Sequence, residues 1–289
     1  MVDKNTAFNE IRHMKINNKL IDFSRPLVMG ILNITPDSFY DGGKYKGNDS
    51  LLNKTEEMIA CGADIIDIGA VSTRPGAPNV SIEEELKRII DPVTLLTTTF
   101  PDTIFSIDTY RARVAEETIA AGAHIINDIS GGTMDGNMFK AISKLNVPYI
   151  LMHIHGTPDN MHKSPIDKDV ISIVKNFFQI KTDELIKLGV SDIILDPGFG
   201  FGKSLECNYE LLKNMNSTRI DNFPVLAGIS RKSMINKVLD ILPTDALNGT
   251  TTLNTIALLS GANILRVHDV KEAKEVVKIL QFMSNEYGC

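Results

Sequence analysis

CGADIIDIG, residues 61–69, puts a glycine where a helix would stop and follows it with a mainly apolar run that carries two aspartates, Asp64 and Asp67; the phrase returns as AGAHIINDI at 121–129 and SGANILRVH at 260–268. A glycine just past a helix takes the left-handed backbone that ends it, and a short apolar run after it fits a strand. Working outward, eight such runs can be read: LVMGILNI (27–34), DIIDIG (64–69), TIFSID (103–108), HIINDI (124–129), PYILMH (148–153), DIILDP (192–197), PVLAGI (224–229) and NILRVH (263–268). Longer segments of helical period separate them. Several runs are continuous Ile, Leu and Val, as expected of parallel strands covered on both faces. Gly62, Gly122, Gly189 and Gly261 stand at the expected helix ends, Ser81 with Glu84 has capping-box spacing behind Val80, and Asp269 with Glu272 repeats it more weakly. Eight strand–helix units predict an α/β fold, a single (β/α)8 TIM barrel over residues 26–289. Residues 1–25 form an N-terminal extension that reads either as a hairpin closing the barrel bottom or as a loose tail.

The chain of 289 residues suits one barrel, which needs about 250. Hydrophobic residues at 43% and charged residues at 23% match ordinary soluble domains and supply a core. A net charge of −6, with no concentrated run of Lys and Arg, argues against nucleic acid as a partner. No apolar run approaches about 18 residues, and MVDKNTAFNEIRHMK lacks a signal-peptide core, so no membrane partner and a cytoplasmic location are expected. Cys61, Cys207 and Cys289 are odd in number and far apart, which disfavours a disulfide framework or a zinc site.

In such a barrel the chemistry gathers at the C-terminal ends of the strands, where the βα loops converge. Those ends deliver Asn33; Ser72, Thr73 and Arg74; Asp108; Asn127 and Asp128; His153 and His155; Asp196; Ser230, Arg231 and Lys232; and Arg266 with His268. A purely structural set would hold mostly turn formers and few cations. Asp108 also stands where a helix N-cap would, and Asn127 and Asp196 where turn formers would. His153 and His155 both stand at one strand end, and only one of them is expected to face the site. Two loops rich in Gly, Pro and Asn, TPDSFYDGGKYKGN (35–48) and STRPGAPN (72–79), fit mobile lids. DPGFGFGKS (196–204) is not a phosphate loop, because its glycine lies one place too near Gly-Lys-Ser. Its glycines suit a backbone passing close to a flat ligand.

Seven ordered motifs, MGILNITPDSF (29–39), STRPGA (72–77), SIDT (106–109), INDISGG (126–132), LDPGFGFGK (195–203), GISRKSMI (228–235) and RVHDV (266–270), resemble those of the dihydropteroate synthase family. Ala70 and Val71 depart from the Gly-Glu expected before STRPG. The resemblance implies condensation of 6-hydroxymethyl-7,8-dihydropterin diphosphate with 4-aminobenzoate to give dihydropteroate and diphosphate. It implies that Asp108, Asn127, Met152, Asp196 and Lys232 hold the pterin and that Asn33, Arg266 and His268 hold the diphosphate. Thr73, Arg74, Pro75, Phe201, Lys232 and Ser233 would receive 4-aminobenzoate. Asn33, Asp108 and Lys232 carry catalysis in this reading, with Mg2+ as cofactor near Asn33 and a homodimer built on the later helices. Physical need agrees: a carboxylate set edgewise accepts from both the 2-amino group and N3–H of a pterin, and barrel phosphates often sit beside the loops after strands seven and eight.

Heterolysis of the C–O bond to diphosphate, followed by capture of a pterin methylene cation, needs positioning and leaving-group stabilisation but no side-chain nucleophile. The alternatives are a Schiff base at Lys232, a corrinoid-dependent methyltransferase on the same pterin pocket, and a pterin-binding module without catalysis.

Overall fold

The computed structural model describes residues 13–34, 44–71 and 80–284. The first described element is a hairpin, β1 (His13–Ile16) and β2 (Lys19–Asp22), paired antiparallel with Ile16 opposite Lys19. Its turn, Asn17-Asn18, takes positive φ at both residues (48° and 59°), the twist that a two-residue connection between right-handed strands requires and that Asn tolerates. The barrel follows. Its strands are β3 (Leu27–Asn33), β4 (Ile65–Gly69), β5 (Ile104–Asp108), β6 (Ile125–Asp128), β7 (Tyr149–Met152), β8 (Ile193–Asp196), β9 (Leu226–Ala227) and β10 (Ile264–Val267). The helices are α1 (Lys44–Ala60), α2 (Ile82–Thr99), α3 (Ala112–Ala120), α4 (Met138–Leu145), α5 (Val170–Lys187), α6 (Leu205–Lys213), α7 (Ser233–Leu239), α8 (Leu247–Leu259) and α9 (Val270–Ser284).

Every barrel pairing is parallel, in the order β8-β7-β6-β5-β4-β3-β10-β9. A parallel bridge from Leu195 to Val225 closes the ring. The eight strands therefore form a (β/α)8 barrel with its helices outside, as the eight apolar runs predict, although each strand is shorter than its run. Gly62, Gly122, Gly189 and Gly261 have φ of 96°, 105°, 85° and 98°, so the helix-stopping glycines stand where expected. Two capping expectations need correction. Ser81 Oγ accepts from Glu84 N at 3.2 Å, but the Glu84 carboxylate takes Arg88 Nε at 2.8 Å instead of reaching back. The Asp269 carboxylate accepts from Arg231 Nη2 at 2.7 Å and Nε at 3.0 Å, so it is committed to an ion pair. The loop read over 35–48 gives way to α1 at Lys44; Gly47 falls in the first turn, where N–H groups lack intrahelical partners in any case.

Side chains along each strand alternate between the lumen and the helix layer. The lower inward position is apolar in every strand: Met29, Ile65, Ile104, Ile125, Ile150, Ile194, Leu226 and Ile264 form one cluster with Met14, Ile16 and Phe23. The hairpin thus packs over the lower end of the barrel. Asn17 Nδ2 donates to Pro101 O at 2.8 Å, and Asn263 Nδ2 to Phe23 O at 3.1 Å. Burying side chains of this size stabilises by about 1.5–3 kcal/mol each. The larger core cluster lies between the outward strand faces and the helices.

Candidate active site

Two residues beyond that apolar floor the same inward faces turn polar. They carry Asp67, Ser106, Asn127 and Asp196, with Met152 between and Arg266 on β10. Arg266 Nε donates to Asp67 Oδ2 at 2.7 Å and its Nη2 to Asp108 Oδ2 at 2.7 Å. Asn127 Nδ2 donates to the same Asp67 oxygen at 3.0 Å. Asp67 is fully buried and so joins Asp108, Asn127 and Arg266 into one network. Burial lowers the affinity of Arg266 for its proton, but Asp67 and Asp108 outweigh it and raise its pKa further. Burial drives Asp108 up to about 7 against the pull of Arg266, with Asp67, Glu85 and Asp128 pushing the same way as burial.

Asp196, at the end of β8, is buried, and its Oδ1 accepts from Gly198 N at 2.8 Å. Burial raises its pKa while Lys232 draws it down. Lys232 precedes α7; its Nζ donates to Phe199 O at 2.5 Å and lies 4.7 Å from the centroid of the Phe201 ring. Burial lowers it to about 8, partly offset by Asp196. A Cβ on Gly228 would stand 3.9 Å from both Lys232 Nζ and Arg266 Cβ, so the Lys232 ammonium and the base of the Arg266 side chain flank one glycine. Met152 joins Ile129, Ile154 and Met161, with Tyr110 and Phe201 against them, in an apolar wall beside these groups. Asp108, Asn127, Met152, Asp196, Phe201, Lys232 and Arg266 therefore share one mouth.

Asn33 ends β3 with its side chain exposed. His268 is exposed after β10, its Nδ1 3.0 Å from Ser230 Oγ, which also accepts from His268 N at 3.2 Å. Ser233 opens α7 and is exposed. Ser72, Thr73, Arg74 and Pro75 lie outside the described residues, as does most of the loop that follows β3. Three residues at the strand ends do not face the mouth. Asp128 points outward, because adjacent strand residues alternate, and accepts from Tyr149 Oη at 2.6 Å, Ser130 N at 2.7 Å and Gly132 N at 2.9 Å. Arg231 turns to Asp269 from a left-handed backbone, φ 57°. His153 is buried edge-on to Phe177, centroids 5.0 Å apart, and His155 is exposed.

Asp67, Lys203 and Ser230 are the partners that a search of strand ends passes over or leaves without a role. Asp67 carried a signal: a charged residue inside an apolar strand, in phase with Ile65 below it.

Among the described residues no group of three His, Cys, Asp or Glu side chains is placed to hold a metal ion. A hard cation shared with a diphosphate needs only one or two protein oxygens. Asn33 Oδ1 would be one candidate; it lies 3.6 Å from the point a Cβ on Gly69 would take, with Asp108 Cβ equally near at 3.6 Å.

A barrel whose mouth gathers buried carboxylates, an amide and two cations fits the class of pterin-binding enzymes, and the profile of the family described as pterin binding enzyme matches residues 29–268. The dihydropteroate synthase of Escherichia coli K12 is 43% identical over 263 residues, 90% of this chain and 93% of that protein. The crystal structure of Yersinia pestis dihydropteroate synthase with a sulfonamide drug complex superposes with a TM-score of 0.88 at 42% identity, covering 95% of this chain and all (100%) of the other. That of Burkholderia cenocepacia, complexed with 7,8-dihydropteroate, gives 0.84 at 37% identity, covering 94% and 96%. At these identities and coverages the chain belongs to the dihydropteroate synthase family. It is a transferase of folate synthesis, and its reaction is the condensation that forms dihydropteroate.

Proposed function

We propose that the pterin of 6-hydroxymethyl-7,8-dihydropterin diphosphate lies against Met152 with its 2-amino and N3–H groups on the Asp196 carboxylate. Asp108 and Asn127 meet the ring from β5 and β6, and Lys232 donates to its opposite edge. The diphosphate is held by Asn33, Arg266 and His268 above the N-terminus of α9, whose unpaired N–H groups favour an anion. The carboxylate-bearing amine, 4-aminobenzoate, rests on Phe201, Lys232 and Ser233, with Thr73, Arg74 and Pro75 completing its seat. The observation that carries this reading is the convergence of Asp196, Lys232 and Arg266 on one barrel mouth above an apolar floor.

The C–O bond between the pterin methylene and the diphosphate breaks heterolytically, and the electron pair leaves with the diphosphate. The dihydropterin ring delocalises the resulting cation. The neutral arylamine then forms the C–N bond with its lone pair and loses a proton to solvent at the open mouth. Arg266 and His268 stabilise the charge that builds on the leaving group, and Asp196 with Asn127 fixes the ring so that its methylene faces the amine. Asn33 would hold Mg2+ through Oδ1, and that ion would spread the diphosphate charge further. Incubation with the pterin diphosphate, 4-aminobenzoate and Mg2+ is expected to release diphosphate only when the amine is present. Release without the amine, or pterin binding with no release at all, would count against this reading.

The protein is proposed to act as a homodimer in the cytoplasm. α8 and α9 pack together and expose Leu259 at 71%, Phe282 at 62% and Met283 at 72%, with Ile256 and Ile279 beside them, an apolar face of the kind that self-association covers. Among the described residues no helix is long and apolar enough to cross a membrane. Equilibrium sedimentation at micromolar concentration should give twice the mass of the chain; the monomer mass would refute the dimer.

A further inference from the structure

The loop between β8 and α6, residues 197–204, is wound around an amine that the reaction above leaves unused. Lys203 is buried, and its Nζ donates to Gly198 O at 2.7 Å, Phe201 O at 3.2 Å and His153 O at 3.3 Å. An ammonium is costly to take out of water, and backbone carbonyls alone are partners that an apolar core would not need. Gly198 links this amine to the Asp196 carboxylate: its N–H donates to Asp196 Oδ1 at 2.8 Å while its carbonyl accepts from Lys203. Only glycine fits there, since φ is +69° and a Cβ would come within 2.0 Å of His153 O. The same loop offers the Phe199 carbonyl to Lys232 Nζ and sets the Phe201 ring beside that ammonium.

We propose that Lys203 is a positioning residue for the reaction: its hydrogen bonds shape the loop that presents Asp196, Phe199 and Phe201 to the substrates, and its ammonium is one of the counter-charges around the Asp196 carboxylate. The proposal rests on the seating of the pterin edge at Asp196. Burial raises Asp196, and Lys232, Arg266 and Lys203 oppose it from the β9–α7 loop, from β10 and from its own loop. Lys203 in turn is lowered by burial to about 7, with Asp196 and Cys207 raising it and Lys232 lowering it. The neighbouring His153 is kept well below its usual range by burial, and so stays neutral. Below pH about 7 Lys203 holds its proton and favours the carboxylate. With an uncharged residue in its place, Asp196 keeps its proton to higher pH and loses an acceptor for the pterin donor pair.

The test is calorimetric binding of 6-hydroxymethylpterin to the full chain across the acid side of neutrality. K203M should move the acid limb of binding to higher pH, while K203R, which keeps the charge, leaves the limb near that of the wild type. A wild-type limb in K203M overturns the proposal. D196N separates the two readings: if it binds pterin as tightly as the wild type, the seating at Asp196 is wrong, whereas weak binding by D196N beside an unshifted K203M condemns the role of Lys203 alone. Should K203M and K203Q both fail to unfold cooperatively, Lys203 is a residue of the folded core and the proposal falls.

Discussion

Arg266 and Asp108 meet across the barrel mouth, Nη2 to Oδ2 at 2.7 Å, while the same guanidinium grips Asp67 through Nε at 2.7 Å. One cation thus allows two carboxylates to share a water-poor space. Arg266→Met would leave Asp67 and Asp108 facing each other without a counter-ion. Removing one partner of a buried pair costs about 3 kcal/mol or more, so the urea midpoint should fall and Asp108 should titrate above its wild-type value. An unchanged midpoint would mean that the guanidinium contributes nothing to holding Asp67 and Asp108 together.

The second expectation is a pH dependence. Asp108 is raised to about 7 by burial, whereas an unfolded Asp titrates near about 3.9. Between these values the folded chain holds a proton that the unfolded chain has lost, so this residue makes stability fall as pH rises from about 4 to about 7, after which its contribution is level. Denaturation curves of wild type and D108N should converge toward the acid end of that window and diverge toward its upper end. The kcat/KM profile, which reports the free enzyme, should likewise contain an ionisation near neutrality that D108N lacks.

Lys232 touches a backbone carbonyl and an aromatic face, not a carboxylate. Its ammonium is therefore available to a ligand, and K232A should weaken pterin binding by the worth of a charged hydrogen bond, about 1.5–3 kcal/mol, or roughly tenfold to a hundredfold in Kd. Calorimetry measures this directly. Borohydride added during turnover should label nothing at Lys232; a reduced adduct there would establish a Schiff base and replace the cation mechanism.

At the other end of the barrel, Met14 and Ile16 fill the floor from the hairpin. M14A and I16A should each cost about 2–4 kcal/mol of stability while leaving kcat close to the wild-type value, because the polar layer begins one full inward step higher. Thermal unfolding and steady-state assays on the same preparations would separate the two effects.

The eight strands and the polar character of their ends were legible because burial on both faces writes long apolar runs and because chemistry follows them in the chain. The side each residue faces was legible only from phase. Asn127 and Asp128 are neighbours, yet the first turns inward to Asp67 and the second outward to Tyr149. Asp67 escaped a search confined to residues after each run, although counting by two from Ile65 would have placed it in the lumen. The Asn17-Asn18 turn is a recognisable hairpin signal; where that hairpin docks is set by contacts with Ile65, Ile104 and Ile264, remote in the chain, which no local pattern encodes. The commitment of Arg231 to Asp269 was likewise hidden, since an arginine beside Lys232 has the same composition whichever way it turns.

With the hairpin plugging the barrel from beneath, the described residues leave ligands to come and go at the C-terminal ends of the strands. For the seats proposed above, traffic must then queue: the heterocycle bound on the deep carboxylate arrives before the amine held nearer the rim, and the diphosphate departs past that rim before the finished product can follow.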